Sequence, residues 1–280
     1  GSLYMTLAMA GYVVNDSLIK LVGNDLPLGM ILVVRGSFAI VLIMVLALAI
    51  GALKHWRMMF SSPVLKRATF DTLATFLFLT GLFHMSIAIA TAILQMVPLM
   101  VMLFGALFLK ERIGWRRIMA ILVGFAGVLL VVQPGTSGFN NYAILLFGVV
   151  ILVAVRDTTT RNMPDSVPSL LITLTNVVMV TIAGSFYALY QGVEPVNPQQ
   201  FLILSTSSVF LVAATMFIIL TMRTAAISIT APFRYSAILW SLISAYMVFN
   251  EVPNGLAIIG ITMITGAGLY SLFRSQTPTR

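Results

Sequence analysis

Apolar runs long enough to cross a membrane follow one another along almost the whole chain, separated by breaks of only a few residues. About 20 apolar residues carry a helix across roughly 30 Å of hydrocarbon. With 60% of the 280 residues hydrophobic and 9% charged, a water-facing surface cannot be assembled, so lipid is the solvent for most of the exterior. Helices are predicted at 3–22, 28–53, 68–87, 91–109, 116–132, 142–155, 169–190, 201–221, 225–249 and 256–273. Two breaks, at 86–90 and 222–228, lack loop composition and are inferred because runs such as 68–109 are too long for one crossing. Gly1 and Ser2 are set aside as foreign to the fold. Residues 3–22 read as a spanning helix, not a cleavable leader, because no basic segment precedes them and Asn15, Asp16 and Lys20 interrupt the apolar run.

Charge placement sets the expected orientation. A net charge of +8 is compatible with nucleic acid, with anionic lipid, or with basic loops retained in the cytoplasm. The positions favour the loops, and no nucleic-acid partner is expected. With the N-terminus inside, Lys54, Arg57, Lys66 and Arg67 follow the second helix, and Lys110, Arg112, Arg116 and Arg117 follow the fourth. Arg156 and Arg161 follow the sixth, Arg223 the eighth, and Arg274 and Arg280 close the chain. Of the 16 basic residues, only Lys20, Arg35 and Arg234 then belong to helices. The opposite loops, 133–141, 191–200 and 250–255, carry none. Ten crossings with both termini cytoplasmic fit this pattern, and Trp56 and Trp115 lie in the basic loops, where an interfacial belt places them.

The chain also repeats itself. Asp16, Lys20, Pro27 and Arg35 recur at one constant offset as Asp157, Arg161, Pro168 and Asn176. Leu109-Lys110-Glu111 matches Phe249-Asn250-Glu251, each followed by an apolar helix containing glycine. The expected domains are a five-helix repeat over 3–137, a second over 138–274, and a cytoplasmic tail over 275–280. Five is odd, so the second copy enters from the opposite side, the arrangement of secondary carriers whose solute site lies between the halves. Asp16 with Lys20, and Asp157 with Arg161, have the spacing that brings two side chains onto one helix face. Each pair reads either as a charged latch at a mouth or as a helix-end ion pair without further role.

Ionisable groups inside a bilayer are costly and mark candidate sites. Arg35 either binds a carboxylate or pairs with Asp16 or Asp25. His84 is a solute contact or a hydrogen-bonded packing residue. Asp71 is expected in the solvated first turn of its helix, where an acid is favoured. Gln95 and Pro98 stand at a predicted kink, and Pro232, Arg234 and Tyr235, with Trp240 and Tyr246 beyond, form the second-half counterpart, either a clamp for an organic anion or zwitterion or a kinked, packed helix. Asn15, Thr158, Asn176 and Ser244 offer neutral hydrogen bonds to a solute or between helices. With no cysteine and two histidines at unrelated depths, no nucleophile, metal site or cofactor is expected, and neither is an enzyme.

The segment 90–133, with Pro98, Leu109-Lys110-Glu111-Arg112, Gly124 and Gly127, and its echo at Phe249-Asn250-Glu251-Val252-Pro253 and 266–270, resembles the EamA domain of the drug/metabolite transporter superfamily. Two tandem copies cover essentially the whole chain, and within that superfamily the pattern is similar to the bacterial aromatic amino-acid exporter. The resemblance implies an all-α membrane protein of ten helices in two inverted five-helix halves. It further implies a monomer in the bacterial inner membrane that exports aromatic and other neutral amino acids and related metabolites by alternating access. The string Pro232-Phe233-Arg234-Tyr235 also resembles carriers for uptake of riboflavin or S-adenosylmethionine, which leaves a larger metabolite as the alternative.

Overall fold

Prolines set many of the helix starts, because a proline at the first turn gives up a donor that has no intrahelical partner there anyway. Pro27 and Pro168 occupy equivalent N-cap positions, Pro63 sits in the first turn of its helix, and Pro198 opens another. In the computed structural model, which describes residues 1–108, 115–133, 140–161, 163, 167–224 and 230–275, the order is α1 (Ser2–Val22), α2 (Leu28–Ala49), a 3-10 segment (Ala52–Phe60), α3 (Ser62–Phe83), α4 (Ile87–Leu94), α5 (Val97–Phe108) and α6 (Trp115–Val132). Then come α7 (Tyr142–Arg161), α8 (Ser169–Gln191), α9 (Pro198–Thr224), a second 3-10 segment (Ala231–Tyr235), α10 (Ser236–Phe249) and α11 (Gly255–Ser275). No strand occurs among the described residues. Among the described residues, six stretches are long and apolar enough to span a membrane: α1, α2, α8, most of α7 and α9, and α4 with α5 taken as one span, Ile87–Gly105.

Three expectations shift. The predicted helix at 68–87 starts six residues earlier, at Ser62, so Asp71 lies in the third turn and not in a solvated first turn. The helix expected at 142–155 continues to Arg161, which places Arg156 inside α7 rather than in a cytoplasmic loop. The helix at 91–109 is two pieces, broken at Gln95-Met96. The break expected at 222–228 does not begin at 222, because α9 runs on to Thr224, and the tail expected from 275 begins with helical Ser275; residues 225–229, 276–280 and the motif Leu109-Lys110-Glu111-Arg112 fall outside the described residues, as do the side chains of Arg161, Arg223 and Arg274.

Packing pairs the helices reciprocally. α1 lies along α9 and α3 along α7; α2 lies along α8 and α6 along α11; α1 meets α10 as α7 meets α4 and α5. With α4 and α5 counted as one, exchanging α1–α6 in order with α7–α11 turns each of these pairings into another of them, or into itself. Small residues permit close crossings: a Cβ on Gly127 would stand 2.8 Å from the Gly260 carbonyl, so α6 and α11 approach only because both positions are glycine. The core runs through α1, α3, α4, α7 and α10, with Ile19, Leu79, Ile87, Ile93, Met96 and Leu146 fully buried.

Candidate functional site

The two broken helices meet. Pro98 has no backbone N–H to donate, and the preceding turn tightens so that the Met96 amide bonds to the Ile93 carbonyl at 3.0 Å. Opposite, Pro232 sits in the first turn of the 3-10 segment that leads into α10. Gln95 Nε2 donates to the Arg234 carbonyl at 2.9 Å, and the Tyr235 hydroxyl faces the Gln95 carbonyl at 3.5 Å. Tyr235 is 4% exposed, and its hydroxyl occupies the space that a side chain on Gly268 would fill. Irregular backbone at this depth is tolerated in lipid only beside protein or a cavity, and here each break satisfies the other.

A second polar group gathers around Asp71. Its carboxylate accepts from Arg156 on α7 through one oxygen and from Asn176 Nδ2 on α8 through the other. Arg156 also holds Asp157, at 2.9 Å from Nε and 2.8 Å from Nη2. One turn away, Arg67 Nε donates to Thr160 Oγ1 at 3.0 Å. Four ionised groups thus link α3, α7 and α8, with Asp71 and Arg156 side chains 13% and 21% exposed.

At the other end of the bundle, Lys20 closes the first-half helices onto the second half. Its ammonium donates to the Met85 carbonyl at 2.7 Å and to Glu251 at 3.0 Å, and lies 4.6 Å from the Phe249 ring centre. Ser17 and Ser244 hydroxyls meet at 2.6 Å one turn below. Gln133 and Asn254 exchange amide hydrogen bonds at the same end, the shorter at 2.8 Å.

The other predicted residues are placed as follows. Lys20 pairs with Glu251 and not with Asp16; Asp16 instead accepts from Asn15 Nδ2 at 2.8 Å. Asp157 pairs with its neighbour Arg156, while the side chain of Arg161 is outside the described residues. Arg35 is half-buried and within Coulombic reach of Asp16 and Asp71, and its carbonyl accepts from Ser208 at 2.7 Å. His84 stacks on Tyr142 with ring centres 3.9 Å apart and bonds to the Thr80 carbonyl. Thr158 returns its hydroxyl to the Ala154 carbonyl. Trp240 and Tyr246 are exposed on α10, Tyr246 at 65%, and neither touches the Gln95–Arg234 junction among the described contacts. Sequence reading missed Asp71, Arg156 and Glu251. The Ser61-Ser62-Pro63 helix start was the available signal for the first, because it moves Asp71 inward by two turns.

Residues 1–133 match the model of the EamA-like transporter family. The matched residues resemble an EamA-like transporter and make up just under half of the chain. The chain is similar to the S-adenosylmethionine uptake transporter of Rickettsia felis, 27% identical over 201 residues, covering 70% of this chain and 66% of the relative. It is also similar to the pseudopaline exporter CntI of Pseudomonas aeruginosa, 25% identical over 274 residues and 94% of that protein. A riboflavin transporter of Vibrio cholerae is 25% identical over 175 residues, 62% of this chain and 58% of that protein. The matched stretch thus spans just under two thirds of the S-adenosylmethionine transporter's length. A solved structure described only as a protein crystal structure shares the fold, with a TM-score of 0.68 over 99% of this chain and 100% of its own, at 15% identity.

Proposed function

We propose that the protein is a secondary carrier in which two inverted five-helix halves move a small zwitterionic metabolite across the bacterial inner membrane by alternating access. The observation that carries this reading is the junction of the two broken helices, Gln95 on Arg234, flanked by ionic groups toward opposite ends of the bundle. A carrier needs a site reachable from either side and closures that form in turn, and discontinuous helices at the repeat interface are where such sites are built. The reciprocal helix pairing supports ten crossings and two inverted copies. The basic loops support cytoplasmic termini. Mixed positive and negative side chains suit a solute bearing both an ammonium and a carboxylate better than a neutral one. We assign export of aromatic and other neutral amino acids and related metabolites, by a monomer.

The relatives favour a second reading, uptake of a larger metabolite. S-adenosylmethionine carries the same amino-acid head as a free amino acid, so one site serves either solute, and only direction and pocket length separate the two. The test is growth and efflux in cells fed toxic levels of single amino acids, beside uptake of labelled S-adenosylmethionine and riboflavin. Rescue and faster amino-acid efflux, lost in Gln95→Ala, supports export. Uptake of S-adenosylmethionine or riboflavin alone moves the assignment to the second reading, and flux of no solute overturns both.

A further inference from the structure

Asn15, Asp16 and Arg35 map onto Arg156, Asp157 and Asn176 when 141 is added to each number, so the two halves hold the same three residue types with Asn and Arg exchanged. The local contacts correspond as well. Asn15 donates to Asp16 at 2.8 Å, and Arg156 donates to Asp157 at 2.8 Å. One element breaks the parallel. In the second half, Arg156 and Asn176 converge on a third-party carboxylate, Asp71 of α3. In the first half, among the described residues, no carboxylate hydrogen-bonds to the Arg35 guanidinium; Asp16, held by Asn15, and Asp71 reach it only at Coulombic range.

The position of the missing acid can be located. Gly81 on α3 lies beside the Tyr142 carbonyl, and Thr221 on α9 reaches the Gly1 carbonyl at 3.5 Å; Gly1 and Tyr142 differ by the same 141. Gly81 and Thr221 therefore correspond, with a shift of 140 along α3 and α9, and Asp71 corresponds to Leu211. Leu211 of α9 is thus an apolar side chain at the position that Asp71 of α3 fills in the other group. The charges differ accordingly: Asp71 and Asp157 balance Arg67 and Arg156 in one group, whereas in the other Asp16 stands against Arg35, with the more distant Asp71 already engaged by Arg156. A ligand with one carboxylate and one ammonium restores the same two-against-two balance.

We propose that Arg35, Asn15 and Asp16 form the subsite for an α-amino-acid head, the solute carboxylate taking on Arg35 the place that Asp71 takes in the opposite half. The ammonium lies on Asp16 and on Asn15 Oδ1, which is buried, at 2% residue exposure, and has no protein partner. Asn176 Oδ1 is orphaned likewise, so the difference between the halves rests on the absent carboxylate. A planar guanidinium takes a carboxylate by two parallel bonds, which orients the solute as well as holding it. This subsite deepens the carrier reading and rests on it.

The test is arginine-selective modification with phenylglyoxal of the full chain in liposomes, read residue by residue by mass spectrometry. Neutral amino acids or S-adenosylmethionine are expected to slow modification of Arg35 by about tenfold, the corresponding decarboxylated amines and riboflavin not at all. Leu211→Asp is expected to give the same protection with no solute present. Arg35 left equally reactive by every carboxylate-bearing solute overturns the subsite. Should Leu211→Asp fail to fold, Arg35→Gln replaces it: loss of amino-acid flux with any riboflavin flux retained supports the subsite, and retained amino-acid flux overturns it. Protection of Arg35 in a chain that moves no solute sinks the carrier reading and leaves the subsite; amino-acid flux with Arg35 unprotected sinks the subsite alone.

Discussion

Asp71 shows how a single carboxylate can organise three helices. With 13% of its side chain exposed, it accepts from Arg156 and Asn176, and its removal leaves Arg156 with Asp157 as the one remaining acid. Losing one member of a desolvated ion pair leaves an uncompensated charge, so Asp71→Ala is expected to cost about 3 kcal/mol, and Asp71→Asn, which keeps the shape, clearly less. Unfolding in graded denaturing detergent checks both. Lys20 belongs to a different regime, because Glu251 is 35% exposed and solvent screens it. Glu251→Gln is expected to leave stability within about 1 kcal/mol of wild type while raising the labelling rate of a cysteine at Ser86 about fivefold, because the closure it joins opens more often. At this scale the sequence was legible in part. Arg35, Asn15 and Asn176 stand out as polar residues inside apolar runs. The partners of Lys20 and Arg156 are 231 and 85 residues away, and no local pattern encodes such a distance. The i,i+4 spacing of Asp16 and Lys20 allowed a pair that a better-placed carboxylate took instead.

Helices were legible wherever an apolar run was bounded by proline or charge. Starts at Leu28, Tyr142 and Ser169 agree with expectation because Pro27, Asn140-Asn141 and Pro168 precede them. The misplacement of α3 came from reading Lys66 and Arg67 as loop, when a helix starting at Ser62 carries both in its first turns. The same rule of thumb, basic residues outside, moved Arg156 out of α7. The break between α4 and α5 is a property of Pro98 and can be tested as one. Pro98→Ala restores a donor and lets the two pieces join, so thermal stability is expected to hold or rise while transport falls about tenfold, measured as flux per folded protein. At the α6–α11 crossing the opposite holds. Gly127→Leu drives a side chain into the Gly260 carbonyl and is expected to cost about 1–3 kcal/mol, read as a lower unfolding temperature in detergent.

For the molecule as a whole, the all-helical make-up was legible in the apolar runs, and the reciprocal helix pairing is what two proposed five-crossing copies would produce. The closures at the two ends were not readable, because each is assembled from helices distant in sequence. Alternation of the two ends is directly measurable, because the 280 residues contain no cysteine. Single cysteines at Ser86, beside the Lys20 closure, and at Met163, just past the end of α7, are to be labelled from the aqueous phase with and without transported solute. Solute is predicted to raise one labelling rate while lowering the other; rates that rise or fall together, or do not respond at all, contradict alternating access between inverted halves.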